Sequence, residues 1–252
     1  MTEAWQNAIV VGASSGIGEA IARRLARGGS QVALVARREQ RLTSLVREID
    51  EAAVTGRALA YPHDVRDTAR VGDLFQRIVT DLGGLDLVVY AAGVMPRPGP
   101  DEYPTNADVE AIDTNFAGAV VWLNEAAGRF TRAGEGTIIG MSSVAGDRGR
   151  AGNPVYNASK AALDSYLESL RNRLARRGVS VLTAKPGYVR TPLIEGADLP
   201  RFLPVISPDT AAEQVLGAAQ AGKRVAYIPR WWRWIMLVVR LVPAPVFERL
   251  NL

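Results

Sequence analysis

Tyr156 and Lys160 stand four residues apart in a stretch of helical period, 156–177, so phenol and ammonium share one face a single turn apart. An ammonium beside a phenol stabilises phenolate, which is expected to lower the tyrosine pKa from about 10 toward working pH. Such a pair can pass a proton to or from a reacting oxygen. Ser143 lies thirteen residues earlier, just past the carboxyl end of a predicted strand, 136–141. Ligand sites in open α/β sheets form outside the carboxyl ends of the strands, so this hydroxyl is placed to meet the same substrate.

A second cluster suits a nucleotide. Gly12-Ala13-Ser14-Ser15-Gly16-Ile17-Gly18 follows the first predicted strand and opens an amphipathic helix. Glycines let a backbone turn sharply and approach a pyrophosphate, and a helix N-terminus offers free N–H groups. After the second strand comes Ala36-Arg37-Arg38. An NAD site would place a carboxylate there for the ribose 2′-hydroxyl, whereas arginine accommodates a 2′-phosphate. The expected cofactor is therefore NADP(H). The same glycine loop also fits G-x-S-x-G, the nucleophile elbow of a hydrolase, with Ser14 as nucleophile. That chemistry needs a histidine late in the chain, and the only histidine is His63. A third reading is an NADP-binding scaffold or regulator without turnover.

The elements that must position these groups alternate. Predicted strands at 8–12, 31–36, 57–61, 85–90, 136–141, 180–185 and 224–228 are separated by helical stretches at 16–27, 39–53, 67–82, 105–132, 156–177 and 208–221. Continuous apolar strands in β-α alternation predict a doubly wound, mostly parallel seven-stranded sheet with helices on both faces. The expected organisation is one domain over 1–229 and a helical extension over 230–252. Cysteine is absent, which excludes disulfides and thiolate chemistry, and a single histidine argues against a zinc site, so no metal is expected. The N-terminus lacks a signal pattern, and a cytoplasmic location is the default expectation.

The residues resemble the short-chain dehydrogenases/reductases, a family with a Rossmann-type sheet. The likeness runs from about Ala8 to Ile228 and rests on several motifs in order. These are Gly12–Gly18, Asp64-Val65, Ala91-Ala92-Gly93, Asn115, Ser142-Ser143, Tyr156 to Lys160, and Pro186-Gly187-Tyr188-Val189-Arg190-Thr191. The resemblance implies that Tyr156 is general acid in reduction and base in oxidation. It implies that Lys160 holds the nicotinamide ribose, that Ser143 binds the substrate oxygen, and that Asn115 positions a water beside Lys160. Asp64 and Val65 would contact adenine, Thr191 the carboxamide, and Ala92, Gly93, Pro186, Gly187 and Val189 would complete the cofactor site. A homodimer or homotetramer is implied. Val11 stands where the family often has threonine, and Tyr90-Ala91 where it usually has two asparagines.

Specificity in this family resides after Thr191, where Pro192-Leu193-Ile194 and 202–206, with Met95-Pro96 opposite, suggest a hydrophobic ketone, aldehyde or alcohol. The net charge of +4 belongs to the tail. From Gly222 onward, Lys223, Arg224, Arg230, Arg233, Arg240 and Arg249 face only Glu248, so a nucleic-acid-binding body is not expected. Within 230–241, three arginines form a narrow stripe on an otherwise apolar helix, too short to span a bilayer. A membrane surface, a second subunit or a lid over the pocket would each suit it.

Overall fold

Side chains alternate sides along each strand, and that period divides the core in two. In the computed structural model, which describes residues 5–52, 56–99, 101–196 and 203–250, seven strands form one sheet. They are β1 (Asn7–Val11), β2 (Gln31–Ala36), β3 (Arg57–Pro62), β4 (Leu87–Tyr90), β5 (Gly136–Met141), β6 (Val179–Pro186) and β7 (Val225–Ile228). Ala8, Val10, Val32, Leu34, Leu87 and Val89 face one layer of helices, while Ile9, Val11, Ala33, Val35, Val88 and Tyr90 face the other. The first layer is α1 (Gly16–Arg27), α2 (Glu39–Ala52) and α7 (Pro208–Gln220). The second is α3 (Val71–Leu82), α5 (Gly118–Ala133) and α6 (Pro154–Leu174).

Every pairing in the order β3-β2-β1-β4-β5-β6-β7 is parallel. The chain winds outward from β1 to β3, then returns to the other side of β1 with β4. Neighbouring crossovers therefore leave in opposite directions at β1 and β4, which opens a crevice at their carboxyl ends.

The stretch 105–132, expected as one helix, is interrupted. After α4 (Thr105–Ile112), residues Asp113–Ala117 form a π-helical turn before α5 begins. One extra residue in the turn rotates Asn115 into the interior, where it is fully buried. Tyr90 explains its own departure from the family pattern: its hydroxyl donates to Thr114 O of that turn at 2.5 Å.

After β7 come α8 (Trp232–Leu241) and α9 (Ala244–Phe247). The inner face of α8 docks through Trp232 and Met236 onto Val144, with Tyr188 and Tyr227 alongside. The Arg148 guanidinium fastens the helix end, donating to Val239 O and to Val242 O at 2.6 Å and lying 3.8 Å over the Phe247 ring. Trp232 also fills the space that a side chain at Gly187 would need. Truncating so large a buried side chain costs about 3–5 kcal/mol. Trp232→Ala is therefore expected to loosen the tail and speed tryptic cleavage at Arg233 and Arg240, while far-UV circular dichroism of the body stays unchanged.

Candidate active site

A cleft of about 860 Å³ runs along the carboxyl ends of the strands, across the β1/β4 split. Its walls come from the glycine loop, the ends of β2 to β6, the start of α6 and the segment after β6.

At one end the backbone approaches closely. Gly12 has φ +87°, in the left-handed region, and donates its N–H to Val35 O at 2.8 Å. A methyl group at Gly12 would overlap the backbone of Ala92, and one at Gly18 would overlap the carbonyl of Gly12. Only glycine lets strand, loop and helix meet this tightly. Glu19 in the first turn of α1, with Arg24 and Arg27 in the last, complements the helix dipole. Ser15 precedes α1 without capping it by a side-chain bond, which leaves first-turn N–H groups available to an anion at the cleft.

The Arg38 guanidinium reaches back to this loop, donating to Ser14 Oγ at 2.9 Å and Ser15 Oγ at 2.7 Å. Arg37, also on the cleft wall, lies 3.5 Å from Glu110. The end of β2 thus offers two cations and, at Ala36, no carboxylate. Loop, helix terminus and cations together fit a dinucleotide carrying an extra phosphate. They do not fit the hydrolase alternative. The group on Ser14 Oγ is a guanidinium, which can donate but cannot take a proton, so Ser14 has no base there.

At the other end Ser143, Tyr156 and Lys160 line the cleft together. Asn153 precedes α6 and Pro154 starts it, a residue favoured in the first helical turn because its missing N–H has no helical partner there. Tyr156 and Lys160 then project from the same face, and the Lys160 ammonium lies 5.7 Å from the Tyr156 ring centre. Ser143 sits just past β5, where its Oγ accepts from Ala145 N at 3.1 Å. Lys160 is almost fully buried and donates to Met141 O at 3.0 Å. Burial lowers its pKa to about 8, against the pull of Asp164.

Burial also overturns the lowered tyrosine pKa expected from spacing. It pushes the Tyr156 phenol above its usual value, against the opposing effects of the Ser143 hydroxyl and the Arg150 guanidinium. Spacing revealed the neighbour but not the dryness of the site.

Gly12, Ser14, Ser15, Gly16, Ile17, Gly18, Arg37, Arg38, Val65, Ala92, Gly93, Pro186, Gly187, Val189 and Thr191 all line the cleft. Two expected residues do not. Asp64 turns its carboxylate to Arg66, with contacts down to 2.6 Å, because the nearer cation captures it. Asn115 stands behind the wall, accepting from Val94 N at 2.8 Å and donating to Val94 O and Ser159 Oγ. It ties the loop after β4 to α6 and makes no direct bond to Lys160.

Met95, Pro192, Leu193 and Ile194 line the cleft, as expected of the substrate flap; Pro96 and 203–206 do not, Leu203 packing beside α8 and Ile206 against the core, and Phe202 lies outside the described residues. Arg97, missed in the sequence, joins the two sides by donating to Leu193 O at 2.7 Å and to Glu195 O. Arg150 and Asn153 also line the cleft without having been singled out, and so do His63, named only as the sole histidine, and Tyr188, quoted without a role. Tyr188 sits inside a quoted motif, and Arg150 and Asn153 lie in the loop leading to Tyr156, so position along the chain was the available signal. Among the described residues, none of 230–250 lines the cleft, although Trp232 packs against Gly187 from outside it.

The chain is similar to known proteins over most of its length. The family model for short chain dehydrogenases matches residues 6–199. An uncharacterized oxidoreductase of Myxococcus xanthus is 35% identical over 248 residues, covering 97% of this chain and 95% of that protein. A short-chain dehydrogenase from Sphingobium yanoikuyae, solved with NADPH, superposes with a TM-score of 0.78 at 26% identity, over 98% of this chain and 92% of that one. An actinorhodin polyketide ketoreductase variant, also solved with NADPH, gives a TM-score of 0.78 at 26% identity, over 88% and 95% of the two chains. With matches spanning nearly its whole length and the same sheet beneath them, this chain belongs to the short-chain dehydrogenase family of oxidoreductases.

Proposed function

We propose that the protein is an NADP(H)-dependent oxidoreductase acting between a carbonyl and a hydroxyl carbon of a hydrophobic ketone, aldehyde or alcohol. The observation that carries this reading is the convergence of Ser143, Tyr156 and Lys160 on the cleft whose other end is the glycine loop. Bound there, NADP(H) would supply or accept the hydride. Gly12 to Gly18 and the start of α1 would take its pyrophosphate, and Arg37 and Arg38 its 2′-phosphate. Two relatives in fold solved with NADPH support that preference.

Tyr156 is the proton donor in reduction. Its raised pKa keeps the phenol protonated at neutral pH, the form an acid needs. Ser143 donates to the substrate oxygen as charge builds on it, in a site dry enough for that bond to count. Lys160 supplies the positive charge that steadies the phenolate left behind. Asn115 acts from behind, holding the Val94 loop and α6 in register and positioning the water through which the proton is replaced.

Met95, Leu193 and Ile194 give the substrate end its apolar walls. One domain over 1–229 carries this chemistry, with 230–252 as an extension, in a homodimer or homotetramer in the cytoplasm.

Tyr156→Phe is expected to lower turnover by about 10²–10⁴-fold, the usual worth of a positioned proton donor. NADPH binding, read by fluorescence, should change little, and turnover at the parent rate would remove Tyr156 from the reaction. A scaffold would bind NADPH and turn over no carbonyl compound. Replacing both Arg37 and Arg38 by Ala should erase the preference for NADPH over NADH. The loss should be about tenfold or more per arginine, as for hydrogen bonds to charged groups. A preserved ratio would contradict their role. Below about pH 8 Lys160 carries its proton and above it the charge is lost, so reductive turnover should fall as pH rises through that value. A rate profile flat across that range would contradict the need for the ammonium.

A further inference from the structure

Helix α8 has two apolar faces, and only one is used. Trp232 and Met236 pack inward, with Ile235 and Val239 partly buried beside them. Trp234, Leu237, Val238 and Leu241 point outward with 64%, 46%, 65% and 73% of their surfaces exposed. Their spacing of three, one and three residues makes a continuous stripe along one side of the helix. Val246 and Leu250 continue the exposed apolar surface beyond it.

Charge frames this stripe. Arg230 stands at its head, Arg233 and Arg240 run along one flank, and Arg249 lies beyond; all four are exposed. Glu248 is the only carboxylate from Gly222 onward. The Arg233 guanidinium lies 5.6 Å from the Trp234 ring centre, keeping a cation beside the largest apolar group.

We infer that the outer face of α8 docks on an anionic lipid surface. Tryptophan and aliphatic side chains would enter the headgroup boundary while the arginines meet lipid phosphates. No helix among the described residues is long and apolar enough to cross a membrane, so the contact lies in the interface plane. A second copy of the chain is a poorer occupant. A two-fold interface through this stripe would bring the arginine flanks of both copies together, with one glutamate from each to offset them. The inference is independent of the redox chemistry.

The test is sedimentation of the full chain with vesicles of phosphatidylcholine alone and of phosphatidylcholine with phosphatidylglycerol. Pelleting with the anionic vesicles only, reversed by salt, is the expected result. Each of Arg230→Gln, Arg233→Gln and Arg240→Gln should weaken partitioning about fivefold. The combined variant Trp234→Glu, Val238→Glu, Leu241→Glu should not pellet, with its NADPH binding and sedimentation coefficient unchanged as proof of folding and assembly. Failure of the parent chain to pellet with anionic vesicles would overturn the inference, as would continued pelleting of the triple variant. A triple variant that falls to a smaller oligomer would make the stripe a subunit interface and overturn it too.

Discussion

The close passage of three backbone segments at the crevice between β1 and β4 is the constraint on which the rest depends. Gly12 turns against Ala92 with no room for a Cβ, and Gly18 seats α1 against the Gly12 carbonyl. In an all-parallel sheet the strands end, and the helices begin, along one edge. Unsatisfied N–H groups therefore gather where the sheet opens. The glycine contacts keep that edge narrow enough for one ligand to bridge the glycine loop and the start of α6.

What faces this edge is dry, and dryness sets the chemistry. Burial raises Tyr156 and lowers Lys160 to about 8, moving both toward their neutral forms. A buried ammonium is costly unless paired, and Lys160 has the Met141 carbonyl plus the longer-range field of Asp164. The carboxylates behind it are engaged elsewhere. Lys185 bonds to Asp147 and, at 2.8 Å, to Asp164, and Tyr227 donates to Asp147 at 2.8 Å. That cluster stitches β6 and β7 to α6 and to the turn after Ser143, so Ser143, Tyr156 and Lys160 rest on a cross-linked floor. A charge held among buried groups is screened less than one in open water.

Much of this was legible in the sequence because period and spacing are local. The seven strands follow from short continuous apolar runs, the glycine loop from its motif between strand and helix, and the Tyr156–Lys160 face from i, i+4 spacing. The missed features depend on contacts between distant residues. A regular helical period over 105–132 says nothing of the π turn, which is pinned by Tyr90 from β4. Asp64 pairs with Arg66, and Arg38 folds back on Ser14 and Ser15; both outcomes depend on which partner the backbone brings nearest. In the tail, one apolar run proved to be two faces, since only the body against which α8 packs decides which side is buried.

The most direct test of the central claim is the fate of a label. NADPH carrying deuterium at the transferable C4 position would be incubated with the enzyme and a panel of long-chain ketones, aldehydes and steroids. The products would then be read by mass spectrometry. The expected product is an alcohol with one deuterium on the former carbonyl carbon. Binding of NADPH with no deuterium in any product, across the whole panel, would contradict it.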